Sequence, residues 1–189
     1  MKITSMSNLS RAGLFAGTVV LVATAAYAAN PMVGGAPMYE SKNIIENAVN
    51  SKDHTTLVAA VKAAGLVDTL QGKGPFTVFA PTDAAFAKLP KGTVETLLKP
   101  ENKDMLAKIL TCHVVAADAM SSAIRKMIDD DKGAHPVKTV GGCVFTARYN
   151  GKTITIEDER GGTAQVTIAD VDQSNGVIHV IDNVLLPKS

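Results

Sequence analysis

Three kinds of hydrophobic pattern follow one another along the chain. Ala12 to Ala26 is an uncharged, mostly apolar run without periodicity. Between Ile44 and Ile128 the apolar residues recur mainly at helical spacing, and from Pro136 onward the period changes to two. In the helical stretch, Ile44, Ile45, Ala48 and Val49 make a stripe for a short helix. Leu57, Val58, Val61 and Ala64 make a second, with Gly65 placed as its C-terminal stop. Leu66, Val67 and Leu70 add a turn before the Gln71-Gly72-Lys73-Gly74 break. A strand is expected at Phe76–Phe79, ended by Ala80-Pro81, after which Thr82 or Asp83 caps a helix reaching Phe86 and Leu89. Thr93–Leu98 reads as a short helix. Asp104–Leu110 reads as another, with Met105, Leu106, Ile109 and Leu110 inward. Cys112–Val115 is expected as a strand, and Ala117–Asp131 as a helix burying Ala119, Ile124, Met127 and Ile128.

The period-two region predicts strands at Val137–Val140, Cys143–Tyr149, Thr153–Asp158, Ala164–Ala169 and Val177–Ile181. Asn150-Gly151 predicts a type I′ hairpin, in which both central residues take positive φ. Helices first and strands afterwards give an α+β class with antiparallel pairing dominant. Asn30–Tyr39, holding Pro31, Gly34, Gly35 and Pro37, reads as a flexible leader.

The N-terminus reads as an export signal: Lys2 and Arg11 precede the apolar run, and Ala26-Tyr27-Ala28 is a small-x-small cleavage pattern. The run is short of the about 20 residues that span a bilayer, so cleavage before Ala29 is expected, with an uncleaved anchor as the alternative. The domain organisation is then signal peptide 1–28, leader 29–40 and one domain over 41–188. The expected location is the periplasm or the cell exterior, with no stable membrane insertion after cleavage. Export makes a single bridge between Cys112 and Cys143 the expected state of the two cysteines, with two buried free thiols as the alternative.

Composition narrows the function. With 19 basic and 18 acidic residues and no basic stripe, the chain carries no nucleic-acid footprint. Tryptophan is absent and aromatics are 4%, which argues against a sugar-stacking platform but leaves polar sugar recognition open. His54, His113, His135 and His179 lack metal-ligand spacing, and the acidic runs Asp129–Asp131 and Glu157–Glu159 lack the calcium-loop pattern. No nucleophile elbow, phosphate loop or dinucleotide fingerprint occurs. No cofactor, no metal site and no catalytic residue are expected.

Two segments share one punctuation: a turn signal, a run of β-branched and aromatic residues, and a closing proline. They are Gly74-Pro75-Phe76-Thr77-Val78-Phe79-Ala80-Pro81-Thr82-Asp83-Ala84-Ala85-Phe86 and Asn175-Gly176-Val177-Ile178-His179-Val180-Ile181-Asp182-Asn183-Val184-Leu185-Leu186-Pro187. They resemble the first and second motifs of the fasciclin domain family. Leu110-Thr111-Cys112-His113-Val114-Val115 occupies the place of the family's Tyr-His region, with Cys112 where tyrosine is common. The resemblance covers Ser41 to Lys188. It implies a two-sheet β wedge flanked by several short helices, with the two motifs as neighbouring central strands buried on both faces. It also implies a secreted adhesion or binding module and no enzyme.

The family's adhesion-linked positions fall on His113 and on Asp170-Val171, where the animal relatives carry Asp-Ile. For His113 the competing reading is a buried ring bonded to a backbone group at a helix–strand junction; for Asp170 it is a turn or cap residue. The implied partner is a cell-surface or matrix protein, a polysaccharide or a lipid. The alternative function is a periplasmic carrier of a small apolar ligand, which calls for a cavity above about 300 Å³.

Overall fold

A computed structural model describes residues 30–188; the expected signal peptide lies outside them. The chain runs β1 (Met32–Val33), β2 (Ala36–Pro37), α1 (Ile44–Ala48), α2 (Thr55–Ala64), α3 (Val67–Gln71), β3 (Phe76–Pro81), α4 (Asp83–Phe86), α5 (Thr93–Leu97), a 3-10 turn (Pro100–Asn102), α6 (Lys103–Cys112), β4 (Val114–Val115) and α7 (Ser121–Asp130). β5 (His135–Lys138), β6 (Val144–Tyr149), β7 (Ile154–Glu157), β8 (Thr163–Gln173) and β9 (Gly176–Ile181) follow. This is the α+β, helix-then-strand order that the sequence periods predict.

Strands β3 to β9 form one sheet in the order β4-β3-β9-β8-β7-β6-β5. All neighbours are antiparallel except β3 and β9, which run parallel in register from Phe76 opposite Gly176 to Pro81 opposite Ile181. These are the two motif segments, adjacent as expected. β8 spans 11 residues, and its pairing with β9 shifts between Val166 and Ile168 and again between Ile168 and Val171. Such bulges bend a strand and sharpen its twist, so one continuous sheet makes both faces of the wedge. Its outer edges come together where the loop after β5 donates Val140 N–H to Val114 O, 2.7 Å, giving a near-barrel.

The parallel pair divides two hydrophobic cores. Val78, Ala80, Ile178 and Val180 face the helices, packing with Leu57, Val61, Leu70 and Leu110. Phe79 and Ile181 face the other way, onto Ile124, Ile128, Phe145, Ile156 and Leu185. Strands buried on both faces keep no polar alternation, which is why both motifs read as unbroken apolar runs. Gly176, at φ 150°, sits so close to the Phe76 carbonyl that a Cβ has no room there. The parallel register depends on that glycine.

Several local expectations are corrected. Residues 30–40 are not a flexible leader. Gly34 and Gly35, at φ 57° and 76°, form a two-residue turn between β1 and β2, and Val33 and Met38 are buried in the helix-side core. Both glycines have the positive φ that a type I′ turn requires. Asn150-Gly151 is not such a turn, because only Gly151 has positive φ. Asn150 Oδ1 instead accepts from the N–H groups of Lys152 and Thr153 at 3.1 and 2.9 Å. Met105 is 59% exposed, because the α6 stripe runs through Leu106, Ile109 and Leu110. Val49 is 49% exposed as the residue that ends α1.

Candidate functional site

His113 ends α6 and is buried. Its Nδ1–H donates to Ile109 O at 2.8 Å, and its Nε2 accepts the Leu185 N–H at 3.0 Å. Burial pushes its pKa down to about 4, against the opposing hydrogen bond to Ile109 and the charge of Asp158. The ring is therefore neutral, and both nitrogens are used. Beside it, Cys112 and Cys143 form a disulfide with Cα atoms 5.5 Å apart. Phe79 N–H donates to His113 O at 2.9 Å. This short segment ties α6 to β3, to the start of β6 and to the residues after β9.

Asp170, at φ 58°, sits in the second bulge of β8. Its carboxylate accepts the Ser121 N–H at 2.6 Å and the Ser121 hydroxyl. Met120, the residue before α7, has no side chain that caps, so Asp170 supplies the cap from another strand. Its own N–H donates to His179 Nδ1 at 3.2 Å, and His179 Nε2–H donates to Ala119 O at 2.8 Å. Burial lowers the His179 pKa, so this ring is also neutral. Asp83 serves α2 in the same way, accepting from Thr55 N–H, Thr55 Oγ and Thr56 N–H at 3.2, 2.6 and 2.8 Å. Its pKa falls because these bonds outweigh the upward pull of burial. Val171, next to Asp170, is fully buried.

His113 and Val171 do meet, in the lining of an apolar cavity of about 50 Å³ between the sheet and α1 to α3, while the Asp170 carboxylate is engaged at α7. The cavity is well below the size of about 300 Å³ at which drug-sized pockets start. His54 also lines it. Its Nδ1 lies 2.8 Å from Ser51 Oγ, and its buried Nε2 has no hydrogen-bond partner. Burial lowers the His54 pKa; the Ala80 carbonyl, then Asp53 and Asp83, pull the other way.

A second concavity is polar and open. It offers about 530 Å³ at the first ends of β3 and β9, between Asn43, the 71–75 loop, Asp118 and the 173–176 turn. Asn175 builds it. Its Oδ1 accepts the Ile44 N–H at 3.1 Å, its Nδ2 donates to Leu70 O and Gly72 O at 2.8 and 2.9 Å, and its carbonyl accepts the Phe76 N–H at 3.1 Å. Sequence reading took Asn175-Gly176 for a turn and missed this clamp, whose partners lie up to 131 residues away. Asn175→Ala strands these groups and is expected to cost about 2–4 kcal/mol. Asn175→Asp keeps the acceptor for Ile44 but sets an acceptor-only carboxylate oxygen against the Leu70 and Gly72 carbonyls, so it should lose at least as much; thermal denaturation of the two variants orders them.

Among the described residues, no group of three or more histidine, cysteine or acidic side chains is placed to hold a metal ion. No described helix is long and apolar enough to cross a membrane.

A seven-stranded near-barrel with two parallel motif strands at its centre, flanked by short helices, defines an α+β fold of the fasciclin type. The fasciclin domain model matches residues 52–187, and the chain belongs to the fasciclin domain family. It is 41% identical to the protein sll1483 of Synechocystis sp. over 98% of this chain and 96% of the relative. It is 35% identical to the cell surface glycolipoprotein MPB83 of Mycobacterium bovis over 75% of this chain and 59% of that one. Among solved structures, the FAS1 domain pair of the insect cell adhesion molecule Fasciclin I superposes with a TM-score of 0.54 at 24% identity. That likeness shows the fold, covering 69% of this chain and 43% of the pair. The β1–β2 hairpin and α1 precede the matched residues.

Proposed function

We propose that this protein is an exported, non-catalytic adhesion module that holds a polar cell-surface ligand in the cleft at the ends of β3 and β9. The observation that carries the reading is the cleft itself, about 530 Å³ and lined by loops fixed to the two central strands. Loops positioned by a rigid scaffold are where binding concentrates. The side chains of Gln71, Lys73, Asp118 and Ser174 line it, offering charge and hydrogen bonds rather than an apolar face. The absence of a stacking aromatic suits a peptide or polysaccharide chain read through polar groups.

The non-catalytic part of the reading draws on how the buried histidines are used. His113 and His179 each spend both ring nitrogens on backbone groups. The Ser51–His54 pair has no carboxylate on its second nitrogen to orient the ring. Family membership and the cell-surface relative support a role outside the cytoplasm.

Ser174 is exposed on the cleft wall, so Ser174→Trp fills the cleft without touching the core. Binding of the purified protein to native envelope or matrix fractions should fall at least about tenfold, the loss of one well-placed contact group, with an unchanged melting temperature. Undiminished binding by this variant would reject the cleft as the recognition surface.

A further inference from the structure

The polar cleft carries charges of both signs that are not used against each other. Two ionic side chains line it, the ammonium of Lys73 and the carboxylate of Asp118. Both residues are exposed, and the ion pairs among the described residues lie elsewhere in the molecule. We propose, resting on the cleft as the recognition surface, that it takes a short peptide segment bearing both a free carboxylate and a free ammonium. The carboxylate meets Lys73 and the ammonium meets Asp118.

The frame that holds these two charges is tied to the central strands. Asp118 lies between anchored neighbours. Thr77 Oγ1 donates to Ala117 O at 2.6 Å and accepts the Ala119 N–H at 2.9 Å, and His179 Nε2–H donates to Ala119 O at 2.8 Å. Lys73 likewise stands between two held residues. The Gly72 carbonyl accepts from Asn175 Nδ2, and Gly74 lies so close to the Asn175 carbonyl that a Cβ has no room. The Ser174 N–H donates to Lys42 O at 3.0 Å. The backbone is thus set before a ligand arrives, and only side-chain tips remain to be ordered, which lowers the cost of binding.

The polar side chains of the lining sort into two groups. Asn43 caps α1, Gln173 bonds to Asn47 and to Val171 O, and Asn175 forms the clamp. Gln71, Lys73, Asp118 and Ser174 are exposed, and their side chains bond to no other described residue. These four are the groups left for a ligand.

Their chemistry selects the class. A purely anionic ligand would meet Lys73 but be repelled by Asp118, and a purely cationic one the reverse. A neutral sugar would take water from both charges without replacing it by an opposite charge. A peptide brings both signs on one chain. Its own N–H and C=O groups suit the Gln71 amide and the Ser174 hydroxyl, each of which can donate and accept. The room of about 530 Å³ falls within the range of about 300–1,000 Å³ that holds drug-sized ligands.

The test is titration of the full isotope-labelled protein with unblocked glycine peptides, from diglycine to pentaglycine, read at the amides of residues 71–75, 117–119 and 173–176. The series steps the separation of the end charges by up to about 3.5 Å per residue. One length should bind best and saturably, with a dissociation constant of about 0.1–10 mM, the weak range expected of a few atoms and exposed charges. Acetylating its N-terminus or amidating its C-terminus should each weaken binding about twofold to fivefold. Lys73→Glu and Asp118→Lys should each weaken it by at least about tenfold, because a like charge then faces the peptide end. The double exchange restores one charge of each sign with their places traded, so most of the binding should return with the peptide reversed. A merely structural role for either residue gives no such recovery.

The proposal is overturned if no length binds saturably, if the doubly blocked peptide binds as well as the unblocked one, or if the double exchange recovers nothing. Those outcomes, with envelope binding still lost in Ser174→Trp, would remove the charge assignment and leave the cleft as the recognition surface. Envelope binding retained in Ser174→Trp would remove both.

Discussion

Replacing Cys112 and Cys143 together by alanine is expected to lower stability by about 3–4 kcal/mol, the loop-closure contribution of a bridge over a 31-residue separation. Both residues are buried, so alanine leaves no polar group unsatisfied but also removes two packed sulfur atoms, whose lost contacts add to the loss of the cross-link. The position of the bridge makes the effect local as well as global. It joins the end of α6 to the start of β6, beside the contacts of Val140 with Val114 and of Gly141 with Thr111 that bring the outer strands together. Gly141 lies so near that a Cβ there would stand 2.7 Å from Cys112 N. Backbone amides of β4 and of the 139–143 loop should therefore lose protection first, with β3 and β9 holding longer. Chemical denaturation measures the total; a loss below about 1 kcal/mol would show that the near-barrel closes without the bridge.

Acidification is the second large effect. His113 is neutral in the folded chain with a pKa of about 4, while an unfolded histidine titrates at 6.5. Below pH 6.5 the unfolded state takes up a proton that the folded state refuses, so stability falls with pH until about 4, where the folded ring titrates too. The contribution is full above 6.5, and about 3 kcal/mol is lost across the window. For a domain of this size that is a fall in melting temperature of roughly 6–12 °C. His54 and His179, also held neutral by burial, add to the same slope. Asp83 has a lowered pKa and acts in the same direction below the ordinary carboxylate pKa, losing its contribution as pH drops through its folded value. His113→Phe should destabilise at pH 7, because Leu185 N–H and Ile109 O lose their partner, yet flatten the slope between pH 6.5 and 4. An unchanged slope in that variant would remove His113 from the acid response.

The parts of this fold that the sequence made legible are those whose cause is local or fully buried. Gly65 was marked as the end of α2 because only a left-handed residue closes that helix, and it sits at φ 71°. β3 and β9 showed themselves through apolar runs that a doubly covered strand produces. β8 was read as Ala164–Ala169 because its bulges break the period: Ile168 is 36% exposed, and Asp170 turns to α7. The caps of α2 and α7 were hidden for a different reason. His54 and Met120 stand at those helix starts without capping, and the aspartates that serve them lie 28 and 49 residues further on. The cleft was equally invisible, since Asn43, Lys73, Asp118 and Ser174 meet only when the central strands pair. Gly34-Gly35 was a readable hairpin signal that the neighbouring prolines masked.

The residues that the family resemblance marked now have structural work. His113 joins α6 to the segment after β9, Asp170 caps α7, and Val171 packs in the helix-side core. Their exchange should reach any surface function through the scaffold, whereas Ser174 and Lys73 stand in the cleft itself.

Native-state hydrogen exchange, read amide by amide, measures the parallel seam most directly. Amides of Val78, Ala80, Ile178 and Val180 should exchange only through global unfolding, more slowly than those of β5 to β7. Exchange of either central strand at the rate of the surface loops would contradict a molecule organised around that pair.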